Sequence, residues 1–386
     1  MLNYYEFFAG GGMARAGLGE DWNCLFANDF CEKKASAYRN NWGADHLFVA
    51  DVNTIGVNDL PAKADLAWAS FPCQDLSLAG NKAGLVGRRS GSFWAFWRLI
   101  VDLAANGRRP PLVALENVFG TLTSHGGKDF DAIVKALAAQ DYQIGAMVVD
   151  AARFVPQSRP RLFIIAADAS AALPIGTTRE TPNVEWHPEA IVRAYRKLPG
   201  ALQRQWKWWD MPTPGPRQSS LEDIVEENPA GVEWNTPQRT NELLEMMAPI
   251  HRRKVLAAQA DKRQRVGAVY RRTRNGVQRA EVRFDGLAGC LRTPGGGSSR
   301  QTILVVNPSS IRSRLLSPRE AARLMGLPES YLLPERYNDA YMLVGDGLAV
   351  PVVAHISQHL LVPILNHGGQ QNRRTRQSLQ RHRRAG

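Results

Sequence analysis

The chain has 386 residues, 44% of them hydrophobic and 22% charged, which fits a soluble globular protein with room for two domains. No run of about 18 apolar residues and no basic-then-apolar leader is read in it, so a membrane partner is excluded and a cytoplasmic setting expected. The formal net charge of +12 points instead to a polyanion, and phosphate backbones are the commonest one a basic soluble protein meets. Four cysteines, Cys24, Cys31, Cys73 and Cys290, show neither Cys-x-x-Cys spacing nor the density of a disulfide scaffold, so no metal and a reducing compartment are expected.

Residues 3–8 alternate and are rich in aromatics, as a strand is; Ala9-Gly10-Gly11-Gly12 then makes a glycine turn that feeds a helix. Glycines there let the backbone approach a ligand closely, and the start of the helix offers free N–H groups. A second strand, 24–27, ends in Asn28-Asp29, where an acid can take ribose hydroxyls, and a third, 47–50, ends in Asp51. By itself this looks like a dinucleotide site. Yet Arg15 stands where the third glycine of Gly-x-Gly-x-x-Gly belongs, and no Gly-Lys-Ser/Thr marks a triphosphate loop.

Residues 65–69 read as a short buried strand that Pro72 ends, leaving Cys73 just beyond its carboxyl end, where open α/β sheets carry chemistry. Alone, a cysteine after proline is more often a small buried hydrophobe than a nucleophile. Residues 84–92, rich in Gly, Arg and Ser, read as a mobile loop, and the aromatic run 93–97 opens an amphipathic helix. Strand 111–115 delivers Glu116-Asn117-Val118; a single acid at such a place is ordinarily a cap or a surface residue. Residues 131–140 read as helix and 144–149 as strand, and Gln157-Ser158-Arg159-Pro160-Arg161 leads into the strand 162–167.

From about 168 to 310 the regular apolar strands stop. Trp206, Trp208 and Trp209 could stack on bases, although such a cluster is more often core. Between His251 and Arg283 eleven Lys and Arg meet two acids, a run that is either a solvated face or a nucleic-acid contact. Gly295-Gly296-Gly297-Ser298-Ser299-Arg300-Gln301 is a second glycine loop, either a plain turn or one suited to a DNA groove. Ser317-Pro318-Arg319-Glu320 has the form of a capping box and starts a helix to Gly326. Residues 341–344 read as a strand before Gly345-Asp346, and 352–365 as a final helix. The stretch after Gly368, with six arginines and no acid between Gln370 and Gly386, has no apolar period and reads as disordered.

In this order the motifs resemble those of the DNA cytosine-5 methyltransferases. The matching residues are Phe8-Ala9-Gly10-Gly11-Gly12, Asn28-Asp29, Asp51, Phe71-Pro72-Cys73-Gln74, Glu116-Asn117-Val118, Gln157-Ser158-Arg159-Pro160-Arg161, Ser317-Pro318-Arg319-Glu320 with Gly326, and Gly345-Asp346. The resemblance implies an α/β, Rossmann-like S-adenosylmethionine-dependent fold with a mixed, mostly parallel sheet and a smaller target-recognition domain. Residues 1–168 and 340–367 would form the catalytic part, 169–339 the target-recognition domain and 368–386 a basic tail.

It implies S-adenosylmethionine held by Phe8, Gly10, Gly11, Gly12, Asp29, Asp51, Phe71, Pro72 and Asp346, with Asp29 where the family commonly has Glu and Asp346 where Asn is frequent. Cys73 would be the nucleophile and Glu116, Arg159 and Arg161 its catalytic partners. Double-stranded DNA would be met by Gln74, Ser77, Arg271, Arg272, Gly295, Gly296, Gly297, Arg300 and Gln301. A monomer, bacterial or phage in origin and paired with a cognate restriction endonuclease, is the expected setting.

The chemistry asks for these residue types independently. Cytosine C5 is a poor nucleophile, so a thiolate must first add to C6, and Cys73 supplies it. The ring then carries extra electron density, which an acid at N3 accepts; Glu116 fits, with Arg159 and Arg161 holding Glu116 and the base O2. Because C6 is shielded in a stacked duplex, the base must be flipped out, with 84–92 as a lid. The rivals are a tRNA-directed enzyme of the same fold, whose usual Cys-Phe-Thr signature is absent, a catalytically silent DNA-binding module, and a dehydrogenase, which has no use for Pro-Cys-Gln.

Overall fold

The protein is described here by a computed structural model covering residues 1–72, 91–274, 276–292 and 300–368. Strands β1 (Leu2–Phe7), β2 (Trp22–Asp29) and β3 (Leu47–Val49) alternate with helices α1 (Met13–Leu18) and α2 (Glu32–Trp42). Then come β4 (Leu66–Ala69), α3 (Gly91–Ala105), β5 (Leu112–Val118), α4 (Lys128–Ala138), β6 (Tyr142–Asp150) and β7 (Pro160–Asp168). They form one seven-stranded sheet in the order β3-β2-β1-β4-β5-β7-β6, parallel except for β7, which runs against both β5 and β6. The order reverses between β1 and β4, so their carboxyl ends frame the crevice where such sheets bind ligands.

The central strands are apolar on both faces because both are covered. Tyr4 packs with Met13, Leu18, Tyr38 and Val353 on one side, while Tyr5 and Phe7 pack with Phe93, Phe96 and Ile100 on the other. Gly17 is required by close approach, since a Cβ there would lie 2.4 Å from Val353 Cβ.

The segment after β7 has more regular structure than its composition suggests. The short pair β8 (Thr178–Arg179) and β9 (Trp208–Trp209), with α5 (Glu189–Lys197) and α6 (Gly200–Gln205), lies against the seven-stranded sheet. Trp206 and Trp208 are buried with Phe130 and Tyr195, and Trp209 Nε1 donates to the Ile165 carbonyl at 3.0 Å. The tryptophans are core, and the core is that of the first sheet. Gly145 admits this packing, because a Cβ would come within 2.0 Å of the Lys207 carbonyl.

A second sheet follows α7 (Leu221–Ile224), α8 (Pro237–Glu245) and α9 (Pro249–Ala260): β10 (Arg265–Arg274), β11 (Val277–Arg283), β12 (Thr302–Asn307) and β13 (Ser310–Leu315), in the order β11-β10-β12-β13. The expectation that regular strands stop here is overturned. Arginines alternate with a buried face of Val269, Ala280 and Val282, so hydropathy alone hides the strands.

The chain closes with α10 (Pro318–Arg323), α11 (Tyr337–Asp346) and α12 (Val350–Ile356), the last continued by a π-helical turn over Ser357–Leu361. Residues 341–344, expected as a strand, belong to α11; Ala340, Tyr341 and Val344 are its buried face, and four apolar residues cannot distinguish the two periods. The stretch Tyr337–Gly368 has the length and mean hydropathy, 1.7, of a membrane span. It is interrupted between Asp346 and Val350, however, and its apolar side covers Met13 and Leu18.

Candidate active site

The turn after β1 is held in a conformation that side chains rarely adopt. Phe8, Gly10 and Gly12 all have left-handed backbone, with φ of 59°, 57° and 76°. For Phe8 this costs energy, and such outliers concentrate at binding sites. The turn is gripped from behind: Tyr331 Oη and Trp42 Nε1 donate to the Gly11 carbonyl at 2.7 and 3.0 Å. A Cβ at Gly11 or Gly12 would meet those same side chains at 2.4 Å, whereas Gly10 has nothing within 4 Å of that position. The result is a backbone cradle open on one side.

Asp29, at the end of β2, accepts from Gly10 N–H and Cys31 N–H, both at 2.8 Å, so it fixes the cradle and keeps a lone pair on each oxygen for a ligand. The neighbouring Phe30 is 72% exposed, an aromatic face beside the cradle that the sequence reading passed over. Asp51 caps the short turn Val52–Thr54 through the Asn53 amide at 2.9 Å. Asp346, at the end of α11, pairs with Lys34 of α2 at 2.8 Å.

Phe71 is buried against Phe93, its carbonyl accepts from Asn117 Nδ2 at 3.1 Å, and Pro72 is exposed. Asn117 therefore ties the end of β4 to the end of β5. Cys73, Gln74, Ser77, Gly295, Gly296 and Gly297 lie outside the described residues, as do 84–90 of the expected lid and 369–386 of the tail.

Glu116, on β5, is buried beside Arg161 of β7, whose Nε lies 3.3 Å from Oε1. Burial raises the Glu116 pKa above the usual carboxylate range against the opposing pull of Arg161, Arg159 and a hydrogen bond from Ser70. Arg159 stands behind the pair, its charge acting on Glu116 and its Nε buried without a hydrogen-bond partner. It is 2% exposed and donates to the carbonyls of Leu291, Gly345 and Gly347 at 3.0, 2.9 and 2.7 Å and to Cys290 Sγ at 3.4 Å. With those N–H groups committed, it braces the site, and of the two arginines it is Arg161 that lies at contact distance from Glu116. Burial and the neighbouring Arg161 lower the Arg159 pKa to about 10.

Cys290 was legible only as a count. Its sulfur lies 3.8 Å from Arg161 as well, and although burial pushes the thiol up, Arg159 and Arg161 outweigh it and the net shift is down.

Beyond Cys290 opens a cleft of about 450 Å³, walled by Ser158, Pro160 and Tyr341 on one side and by β10 and β11 on the other, Arg271 and Arg272 among them. Gln301 is 4% exposed, and its amide donates to the carbonyls of Val269 and Thr302 at 2.8 and 3.0 Å, so it is a strut of the second sheet. Arg300 is bound to Asn338 and lies over the Tyr337 ring.

Among the described residues no group of three or more His, Cys, Asp or Glu is placed to hold a metal ion. The strand order, the glycine cradle at its reversal and the buried Glu116–Arg161 pair define a Rossmann-like methyltransferase.

Residues 2–361 match the model of the C-5 cytosine-specific DNA methylase family, and the chain belongs to that family; it is a DNA (cytosine-5) methyltransferase. It is 24% identical over 371 residues to the type II methyltransferase M.Bsp6I of a Bacillus species, covering 95% of this chain and 100% of that one. It is also 24% identical over 362 residues to M.HhaI of Haemophilus parahaemolyticus, covering 93% and 94%. The fold is shared with the crystal structure of the S. pombe Dnmt2 methyltransferase, at a TM-score of 0.60 and 18% identity over 94% of this chain and 99% of that chain.

Proposed function

We propose that the protein methylates C5 of a flipped cytosine within a specific short sequence of double-stranded DNA, using S-adenosylmethionine and a covalent bond from Cys73 to C6. The observation that carries the reading is Glu116. A carboxyl group buried at a strand end, raised in pKa and oriented by Arg161, is suited to hold a proton against the ring nitrogen N3.

The cradle fits the cofactor: Gly10 leaves open space, and Asp29 keeps acceptor capacity for ribose hydroxyls. Phe8, the Gly10 to Gly12 turn, Asp29, Asp51, Phe71, Pro72 and Asp346 would hold it, and Phe30 offers a ring to its adenine. S-adenosylmethionine bound there would supply an electrophilic methyl group on a sulfonium.

The chain's own residues prepare the acceptor. The Cys73 thiolate forms the bond to C6, and the displaced electron density is received at N3 by the Glu116 proton, leaving C5 enamine-like. Once C5 is methylated, water acting as base takes its proton, the C6–S bond breaks to return the Cys73 thiolate, and N3 gives its proton back to Glu116. Among the described residues the cleft is rich in Lys and Arg, which supports a phosphate-bearing substrate. Its relatives M.Bsp6I and M.HhaI are bacterial type II methyltransferases, which supports a bacterial cytoplasmic enzyme; a monomer that needs no metal and is paired with a cognate endonuclease completes the proposal.

The test uses a duplex carrying 5-fluorocytosine at the target. With no C5 proton to lose, the adduct should persist through denaturation, and Cys73→Ser should remove both adduct and turnover. Turnover of ordinary DNA with no trapped species on the fluorinated duplex would sink the covalent route.

A further inference from the structure

The cleft beyond Cys290 contains a charge that phosphate binding alone does not explain. Six of the described residues lining it are Lys or Arg, and one, Glu281, is acidic. A carboxylate weakens any surface that serves only to neutralise a DNA backbone. It is useful where base edges are read, because cytosine presents an N4–H donor to the major groove.

The register of β10 and β11 decides what stands beside it. Tyr270 is opposite Glu281, Arg272 opposite Arg279, and Ala268 opposite Arg283, and directly opposed residues share a face. The other face, Val269, Ala280 and Val282, is buried on Leu243 of α8, Met247 of the turn that follows it and Val255 of α9. Of the polar face, Tyr270, Arg272, Glu281 and Arg283 line the cleft. Tyr270 anchors it to the active site: a Cβ on Gly289, next to Cys290, would lie 2.1 Å from the ring, so ring and backbone are in direct contact. Arg283 is spent on Asp285, with its Nε donating at 2.6 Å. Arg272, half exposed, stands 3.8 Å from Glu281, and Arg279 is exposed.

We infer that this face of the two-stranded ribbon reads a G·C pair flanking the target cytosine, with Arg272 or Arg279 donating to guanine O6 and N7 and Glu281 accepting from cytosine N4. A guanidinium satisfies the two adjacent acceptors O6 and N7 of guanine at once, a pairing that neither adenine nor thymine offers, while the carboxylate takes the N4–H of the paired cytosine, and a two-stranded ribbon fits the major groove. The inference rests on the DNA methyltransferase reading and deepens it.

The experiment is methylation of a duplex library with randomised flanks around one cytosine, read by deep bisulfite sequencing, for the full chain and for Glu281→Gln, Arg272→Ala and Arg279→Ala. The unaltered chain should prefer G·C at a flanking position. Glu281→Gln and at least one arginine variant should lose roughly five- to a hundredfold of discrimination at that same position. Glu281→Gln should also bind random-sequence DNA at least as tightly as the unaltered chain.

A flank preference without G·C overturns the inference, as does a preference unchanged in Glu281→Gln when only its melting temperature has moved. Should Glu281→Gln fail to fold, the exposed Arg272 and Arg279 decide, and unchanged preference in both variants overturns it. An unaltered chain that methylates no cytosine in the library overturns the methyltransferase reading itself.

Discussion

Glu116 and Glu6 are both buried on strands of the first sheet, and burial raises both, but only Glu116 has an arginine partner at contact distance. Glu116→Gln should therefore lower kcat by roughly 10²- to 10⁴-fold, the usual worth of a positioned acid, while cofactor affinity measured by calorimetry holds. Activity that depends on its protonated form should fall as pH rises through the raised pKa, and stopped assays across pH check it by comparison with Glu116→Gln: that falling limb should be missing from the variant, and its survival there would assign it to another group. Glu6 lies on β1 with neither oxygen in a well-formed hydrogen bond, and burial pushes it to about 8 against a modest opposing pull from Arg15.

Because the folded-state pKa of this acid lies above its unfolded value, the folded protein binds the extra proton, and stability declines as pH rises from about 4.5 to 8. Glu6→Gln should remove that decline. Its melting temperature should be near that of the unaltered chain at pH 5 and higher at pH 8, by an amount on the order of a few kcal/mol of unfolding free energy. A variant equal to the unaltered chain at both pH values would show Glu6 to be ionised at no cost. At this scale the sequence was informative about type and not about company. Glu116 and Asp29 could be picked from strand ends, but the conversion of Arg159 into a brace depends on carbonyls of Leu291, Gly345 and Gly347, more than a hundred residues away.

Among the elements, β13 and α10 are joined by a fully buried ion pair. Arg314 donates to both oxygens of Glu320 at 2.6 and 2.8 Å, and Glu320 also accepts from the backbone of Ser317 and Glu226 at 2.7 Å. Removing one partner leaves the other charged and dry. Glu320→Gln should cost about 3 to 5 kcal/mol in urea unfolding, while joint replacement of both by apolar residues of similar volume should cost far less. Equal losses in the single and double variants would show the pair to be stabilising in its own right.

The Ser317 to Glu320 capping box was readable because its signal is local, three residues apart. The strands of the first sheet were equally readable, since each is a short apolar run closed by a turn. Residues of α11 read as a strand, and β10, β11 and β12 do not read as strands at all. In both cases the deciding information is which face is covered: α8 and α9 cover the strands that follow them, and the first sheet, far away in sequence, covers α11, and neither packing is written in the local hydropathy.

For the whole molecule, the charge of +12 sets how strongly salt weakens binding. The six arginines after Gln370 could add up to roughly 5 to the slope of log affinity against log salt if each met a phosphate, so truncation after Gly369 should flatten that slope and leave the methylated sequence unchanged. Fluorescence anisotropy across a salt series, with bisulfite sequencing alongside, measures both; a new target sequence in the truncated chain would show the tail to be a reader.

The packing of α12 on α1, where Gly17 meets Val353, has a consequence for synthesis. A ribosome that has just completed β7 has made every strand of the large sheet but not the helix that closes one of its faces. Nearly two hundred further residues must be translated first, about ten to forty seconds at 5 to 20 residues per second. Throughout that interval Met13 and Leu18 lack the cover that Val353 and its neighbours give them, so the nascent chain exposes apolar surface and is prone to aggregate. A chain stopped before Val350 should then be found bound to chaperones or in the pellet, even though it carries the cradle, Glu116 and both arginines.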